Sequence, residues 1–222
     1  MSSPWLGIPL DDYEGHMSAA EVGQLSVLAG LFELVLNTVH PASVAVVGVA
    51  GGNGLDRIDP AVTSRVVGID INQEYLDAAR SRYGASLPGL ELRQCDLSQP
   101  GATCIEPVAL VHAALIFEHA GMGAAFDHAV SLVAPGGVMS VVLQLPSVSE
   151  AGVAATRFTS LQTLKDRFAM IAPETLRREL KSRGFLLDSE HEQALPGGKS
   201  FWLGVFRAEP REHTAGPAKA RK

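Results

Sequence analysis

Ser43 to Asp70 reads SVAVVGVAGGNGLDRIDPAVTSRVVGID, and this stretch decides the architecture. Val44 to Val47 is an apolar run with the length of one buried strand. A glycine-rich turn, Gly48-Val-Ala-Gly-Gly-Asn-Gly54, follows it, and a second apolar run from Val66 to Ile69 stops at Asp70. Strand, glycine turn, helix start, second strand and terminal acid make a nucleotide-binding βαβ unit. The alternative is an ordinary tight turn in a non-binding α/β domain. Glycines let backbone approach a ligand where a Cβ would collide, and Asp70 can accept hydrogen bonds from two ribose hydroxyls.

Spacing within the turn separates nucleotide classes. A dinucleotide fingerprint requires G-x-G-x-x-G. Counted from Gly48, its positions fall on Gly48, Ala50 and Asn53; counted from Gly52, they fall on Gly52, Gly54 and Arg57. Neither register is complete. The turn instead resembles the looser glycine loop of class I S-adenosylmethionine-dependent methyltransferases, with Gly48, Ala50 and Gly52 at alternate positions and Gly54 beyond. That resemblance implies S-adenosyl-L-methionine as cofactor and an α/β, Rossmann-like three-layer sandwich. Its sheet would be seven-stranded and mostly parallel, ending in a C-terminal antiparallel hairpin. The last two strands, Phe185 to Glu192 and Ser200 to Arg207, agree with this ending. Pro196-Gly-Gly-Lys199 joins them, too short a link for a parallel crossover.

The chain has 222 residues, 46% hydrophobic and 19% charged, which suits one soluble α/β domain with a sizeable core. A net charge of −6 argues against nucleic acid as a partner. No apolar run is long enough to span a bilayer. The early acids Asp11, Asp12 and Glu14 stand where a secretory signal would be apolar. Cys95 and Cys104 lack metal-ligand spacing and suggest no disulfide framework, so a cytoplasmic location is expected; no metal is expected either, because the adjacent Glu118 and His119 and the strand residue His112 make poor shared ligands. The expected divisions are a leader and cap helix over 1–40, the binding domain over 41–208, and a disordered tail over 209–222.

In chain order, Trp5 to Met17 shows neither helical nor strand periodicity. Ser18-Ala-Ala-Glu21 has the form of a capping box and predicts a helix to Val39, ended by His40-Pro41. Asn72 to Tyr83 reads as a helix with Tyr75, Leu76 and Ala79 inward, Leu90 to Arg93 as a strand, and Pro107 to Ala114 as another. Phe126 to Val133 is predicted helical. Ala134-Pro-Gly-Gly137 is read as a turn into a strand from Val138 to Leu145, and Val133 to Gly137 is similar to a frequent methyltransferase signpost. Pro146 to Leu164 is expected to be an irregular crossover, and Pro173 to Arg183 a helix stopped by Gly184.

The resemblance implies a set of site residues. Gly48, Ala50, Gly51, Gly52 and Gly54 would back the donor, Asp70 its ribose, and Ile71 its adenosine. Asp96 with Leu97 would meet the adenine amino group; Asp96 equally suits a turn-forming cap. The reacting methyl group would lie near Ala113 to His119. Phe117-Glu118-His119 is similar to a run found in small-molecule methyltransferases, which makes His119 the candidate base and Glu118 its orienting partner. A solvent-facing helix position suits His119 as well. Tyr13, Glu14, His16, Phe117 and Phe158 are candidates to close the acceptor site, and packing roles suit the aromatic ones as well. One departure is Val46, which stands where the family usually carries an acid; Glu14 or loop carbonyls would have to replace it. A small-molecule acceptor is implied, because the Asn/Asp-Pro-Pro-aromatic motif of nucleic-acid and protein enzymes is absent. The competing readings are an NAD(P)-dependent oxidoreductase and a catalytically silent nucleotide-binding or interaction module.

Overall fold

Short apolar runs bounded by glycine, proline and acids become the strands of one seven-stranded sheet. The computed structural model describes residues 3–102, 105–146, 156–196 and 198–210. The strands are β1 (Ser43–Val47), β2 (Arg65–Asp70), β3 (Leu90–Gln94), β4 (Val108–Ala114), β5 (Val133–Gln144), β6 (Phe185–Ala194) and β7 (Ser200–Ala208). Their order is β3-β2-β1-β4-β5-β7-β6. The first five run parallel, and β7 is antiparallel to both β5 and β6. The expected mixed sheet with a terminal hairpin is therefore present.

The helices are α1 (Leu10–Ser18), α2 (Gln24–Val39), α3 (Gln73–Tyr83), α4 (Phe117–Ala120), α5 (Ala124–Ser131) and α6 (Pro173–Lys181). Alternation along the strands sorts them into two outer layers. Val44 and Val46 pack into a core with α2 and α3 residues, including Phe32, Val35, Leu76 and Ala79. Ala45 and Val47 face the opposite core, built with Phe126, Ala129, Leu176 and Leu180 of α5 and α6. Both faces of the sheet are covered, which is why its parallel strands read as continuous apolar runs.

Three expectations about elements are corrected. The helix predicted from Ser18 does not start there. Ser18 ends α1, its hydroxyl donating back to Glu14 O at 2.7 Å, and Gly23 in the left-handed region (φ 59°) separates α1 from α2. The leader is itself ordered, with a 3-10 turn over Pro4–Gly7 preceding α1. Between β1 and β2 the described chain has a 3-10 turn at Leu55–Arg57 and no α-helix. There α2 fills the role, laying Phe32 on the His112 ring of β4 at 4.6 Å. Finally, the sulfur of Cys95 is disulfide-bonded, against the expectation from cysteine spacing; Cys104 lies outside the described residues. So do 147–155 of the expected crossover and 211–222 of the expected tail.

Candidate active site

In an open α/β sheet the crevice lies beyond the carboxyl ends of the strands, where strand order reverses. Here the reversal falls between β1 and β4, and a cavity of about 350 Å³ opens there. Gly48 and Ala50 from the β1 turn, Asp70 and Ile71 from β2, Asp96 and Leu97 after β3, and His119 after β4 all reach its wall. The tips of five strands, Gln144 of β5 among them, thus converge on one space with the leader and the segment after β5.

The loop and the acid are built as one unit. Gly48 N and Val49 N donate to Ile69 O at 2.8 and 3.1 Å, folding the turn over the end of β2. Ala50 takes a left-handed conformation (φ 47°), aiming its N–H at Asp70 Oδ2, 3.0 Å away. Asn72 N donates to Asp70 Oδ1 at 2.9 Å. Burial pushes the Asp70 carboxyl above its ordinary pKa, and the backbone donors of Asn72, Ala50 and Ile71 oppose that rise. Each oxygen accepts a backbone bond, Oδ2 from Ala50 and Oδ1 from Asn72, and the carboxylate retains lone-pair capacity on the cavity wall.

Asp96 differs. Its Oδ1 accepts from Ser98 N and Ser98 Oγ at 2.9 and 2.6 Å, and its Oδ2 from Gln99 Nε2 at 2.9 Å. Burial would raise its pKa, but the Ser98 and Gln99 donors outweigh it and leave the carboxyl below its ordinary value. It reaches the wall and also caps its own turn.

A cap closes the crevice from above, made by the leader and a 3-10 helix at Thr159–Arg167. Tyr75 Oη donates to Ile8 O at 2.8 Å, Asn72 Nδ2 to Trp5 O at 3.1 Å, and Ser160 Oγ to Asp12 Oδ2 at 2.7 Å. His16 Nδ1 and Thr156 Oγ1 are hydrogen-bonded at 2.9 Å. Ile8, Leu161 and Leu164 form a small apolar cluster with Trp5, Tyr13 and Phe158 packed against it. Tyr13 and His16 reach the cavity wall. Burial raises the Tyr13 hydroxyl well above its ordinary value. Burial lowers His16, and Lys199 lowers it further while Glu21 opposes.

His119 sits between two rings, 5.1 Å from Trp5 and 5.2 Å from Phe168, both near edge-on. Burial lowers its pKa to about 4, so the imidazole is neutral at pH 7. Its Nδ1 is buried with no hydrogen-bond partner among the described residues.

Several expected site residues lie elsewhere. Glu118 is 1% exposed and off the wall, its Oε1 accepting from Gln144 N at 2.9 Å, so it does not orient His119. Glu14 is also off the wall, because Arg82 holds it: Nη2 donates to Oε2 at 3.0 Å, and Nη1 also reaches Gly51 O. Gly51 is buried beneath that pair, Gly52 packs against Tyr83, and Gly54 packs against Phe32. These three glycines serve close packing, not the cavity. Ala113 is core, one residue short of the wall residues Ala114, Leu115 and Ile116. Phe117 packs on Phe126, and Phe158 lies against Gly15 in the cap. Val46 is core as well. Residues not foreseen on the wall include Gln24, Gln144, Leu161, Leu164, Arg167 and Phe168.

Residues 44–137 match the family model described as a methyltransferase domain. Over those residues the chain is similar to a methyltransferase domain. The matched stretch carries the glycine turn and every strand tip of the crevice except that of β5. No curated protein matches the chain in sequence. Among solved structures, the N-methyltransferase NodS from Bradyrhizobium japonicum WM9, in complex with S-adenosyl-L-homocysteine, superposes with a TM-score of 0.61 at 18% identity, covering 83% of this chain and 87% of that one. Magnesium protoporphyrin IX methyltransferase (ChlM) from Synechocystis PCC 6803, with bound S-adenosyl-L-homocysteine, gives 0.62 at 14% identity, covering 89% and 87%. The [4+2]-cyclase SpnF gives 0.60 at 12% identity, covering 80% and 81%. At these identities the likeness is one of fold. The fold is thus shared with two methyltransferases and a cyclase, so activity must be argued from this chain's own site.

Proposed function

We propose that this protein is an S-adenosylmethionine-dependent methyltransferase acting on a small molecule. The observation that carries the reading is the open crevice at the strand-order reversal. On its wall Asp70 is held by Ala50 N–H and Asn72 N–H with its remaining acceptor capacity facing the cavity. A ribose diol needs two acceptors on one rigid carboxylate, and this is such a group. The broken G-x-G-x-x-G register and the terminal hairpin favour this donor over a nicotinamide dinucleotide.

When bound, the donor supplies a methyl group on sulfonium: the acceptor's lone pair forms the new bond to that carbon, while the carbon–sulfur pair leaves to sulfur. The chain supplies alignment and exclusion of water. Asp70 fixes the ribose, and Asp96 with Leu97 borders the base. The cap elements cover the reacting centre. His119, neutral at pH 7 and set between the Trp5 and Phe168 rings, is the wall group proposed to take a proton from an acceptor hydroxyl, at Nε2 or Nδ1.

Calorimetric titration with S-adenosyl-L-homocysteine tests the donor site; micromolar saturable binding is expected, and no saturation overturns the proposal. The silent-module reading keeps one specific support, the apolar Val46 in place of the family's acid. Transfer of labelled methyl into a metabolite extract distinguishes the two: incorporation sinks the silent module, and binding without incorporation sustains it.

A further inference from the structure

We infer that the methyl acceptor is a planar aromatic acid, its ring against the Trp5–His119–Phe168 wall and its carboxylate on Arg167. The inference rests on the methyl-transfer reading and narrows it to a substrate class.

The charges on the wall are few and unevenly assigned. Its carboxylates are Asp70 and Asp96, at the tips of β2 and β3; Asp70 already accepts from Ala50 N and Asn72 N, and Asp96 from Ser98 and Gln99 of its own turn. The two acids anticipated nearer the acceptor, Glu14 and Glu118, are off the wall, one held by Arg82 and one by Gln144 N. A cationic amine acceptor would therefore find no free carboxylate beside the rings. Among the described residues, Arg167 is the wall's one Lys or Arg side chain, and it enters no ion pair or hydrogen bond there. A guanidinium with five donors and no partner among the described residues, on the wall of a cavity, suits a carboxylate, which it can grip through two parallel bonds.

Three rings from three segments stand beside that charge. Trp5 comes from the leader turn, His119 from α4, and Phe168 follows Arg167 directly at the end of the capping 3-10 helix. Trp5 and Phe168 each meet His119 edge-on, at 88° and 73°. Edge-to-face packing of this kind extends naturally to a fourth ring. Burial keeps His119 uncharged, so the wall adds no second cation to compete with Arg167 for the acid. Apolar rings plus one unpaired guanidinium specify a flat body and an anionic end.

The test uses the full chain saturated with S-adenosyl-L-homocysteine and titrated calorimetrically with benzoate, 4-hydroxybenzoate, salicylate and indole-3-carboxylate. Each acid is set against its carboxamide, and tyramine serves as the cationic control. At least one acid should bind tenfold or more tighter than its carboxamide and than tyramine. Arg167→Gln should abolish that preference while leaving the homocysteine derivative's dissociation constant within about twofold of wild type. Equal binding of acid and amide, preference for tyramine, or no acid bound at all overturns the inference. So does an Arg167→Gln variant that weakens the donor analogue and spares the acid, because Arg167 would then hold the donor's own carboxylate. Failure of the analogue to bind wild-type protein defeats the methyl-transfer reading itself, a result separate from any acid's failure.

Discussion

Two carboxylates reach the same cavity, yet their hydrogen bonds give them unequal work. Asp70 accepts one backbone N–H on each oxygen, and Asp96 spends both oxygens on Ser98 and Gln99. A ligand hydroxyl can add to Asp70 without breaking anything, whereas at Asp96 it competes with bonds already made. Charge-assisted hydrogen bonds contribute about 1.5–3 kcal/mol. Asp70→Asn should therefore weaken S-adenosyl-L-homocysteine binding by roughly 10- to 100-fold. Asp96→Asn should weaken it by less than about tenfold. Calorimetry on both variants checks the order, and an unchanged constant for Asp70→Asn would remove that residue from the site. Ala50 shows why the pair is rigid: its left-handed backbone, unusual for a residue with a Cβ, is the conformation that points its N–H at Asp70.

At the scale of elements, the cap lies over the crevice, and its seam is built from close packing. A Cβ on Gly15 of α1 would lie 2.3 Å from Phe158 Cζ, with two more ring atoms within 3.0 Å. Gly15→Val should wedge α1 off the segment after β5. The expected result is faster hydrogen exchange in residues 10–18 and a fall in global stability below about 2 kcal/mol, since Met17 is the one α1 residue buried in the sheet's two cores. Unchanged exchange in α1 would show the seam to be loose already. The same seam explains what could be read in the chain and what could not. Strands β1, β2 and β4 were legible because burial on both faces writes an unbroken apolar run. The leader was not, because the order of α1 comes from distant partners: Asp12 with Ser160, His16 with Thr156, and the Ile8 carbonyl with Tyr75. Arg167 and Phe168 escaped notice for the same reason, lying on a 3-10 segment whose place is set by the leader it covers. Asp70, Asp96 and His119, read from strand ends, all reach the cavity wall, because strand ends and crevice share a register. Glu118 was misread because adjacency to His119 in the chain says nothing about where a carboxylate points after a single helical turn.

The whole molecule carries buried titrating groups of opposite sign, and their balance sets its pH response. His112, sandwiched beneath Phe32 and bonded to Ser140 Oγ at 2.8 Å, has its pKa lowered by burial to about 4. Its folded value lies below the ordinary 6.5, so the stability it contributes is complete above about pH 6.5 and is lost as pH falls toward 4. Glu118 runs the other way. Burial raises it to about 7, and the Gln144 N–H only partly opposes that rise. Its folded value exceeds the ordinary 4.5, so its contribution is complete below about pH 4.5 and is lost as pH rises through 7. Each displacement corresponds to about 3 kcal/mol across its full window. His119, lowered like His112, tips the sum, so the protein should lose stability on acidification from pH 7 to 4.5. Urea unfolding of variants separates the contributions. The stability of Glu118→Gln minus that of wild type should rise by roughly 2–3 kcal/mol between pH 5 and 8, because the variant has no carboxyl to ionise in the core. The same difference for His112→Asn should instead grow as pH falls from 6.5 to 4. Parallel curves for either variant would mean that its group titrates alike in the folded and unfolded chain, and the balance described here would be absent.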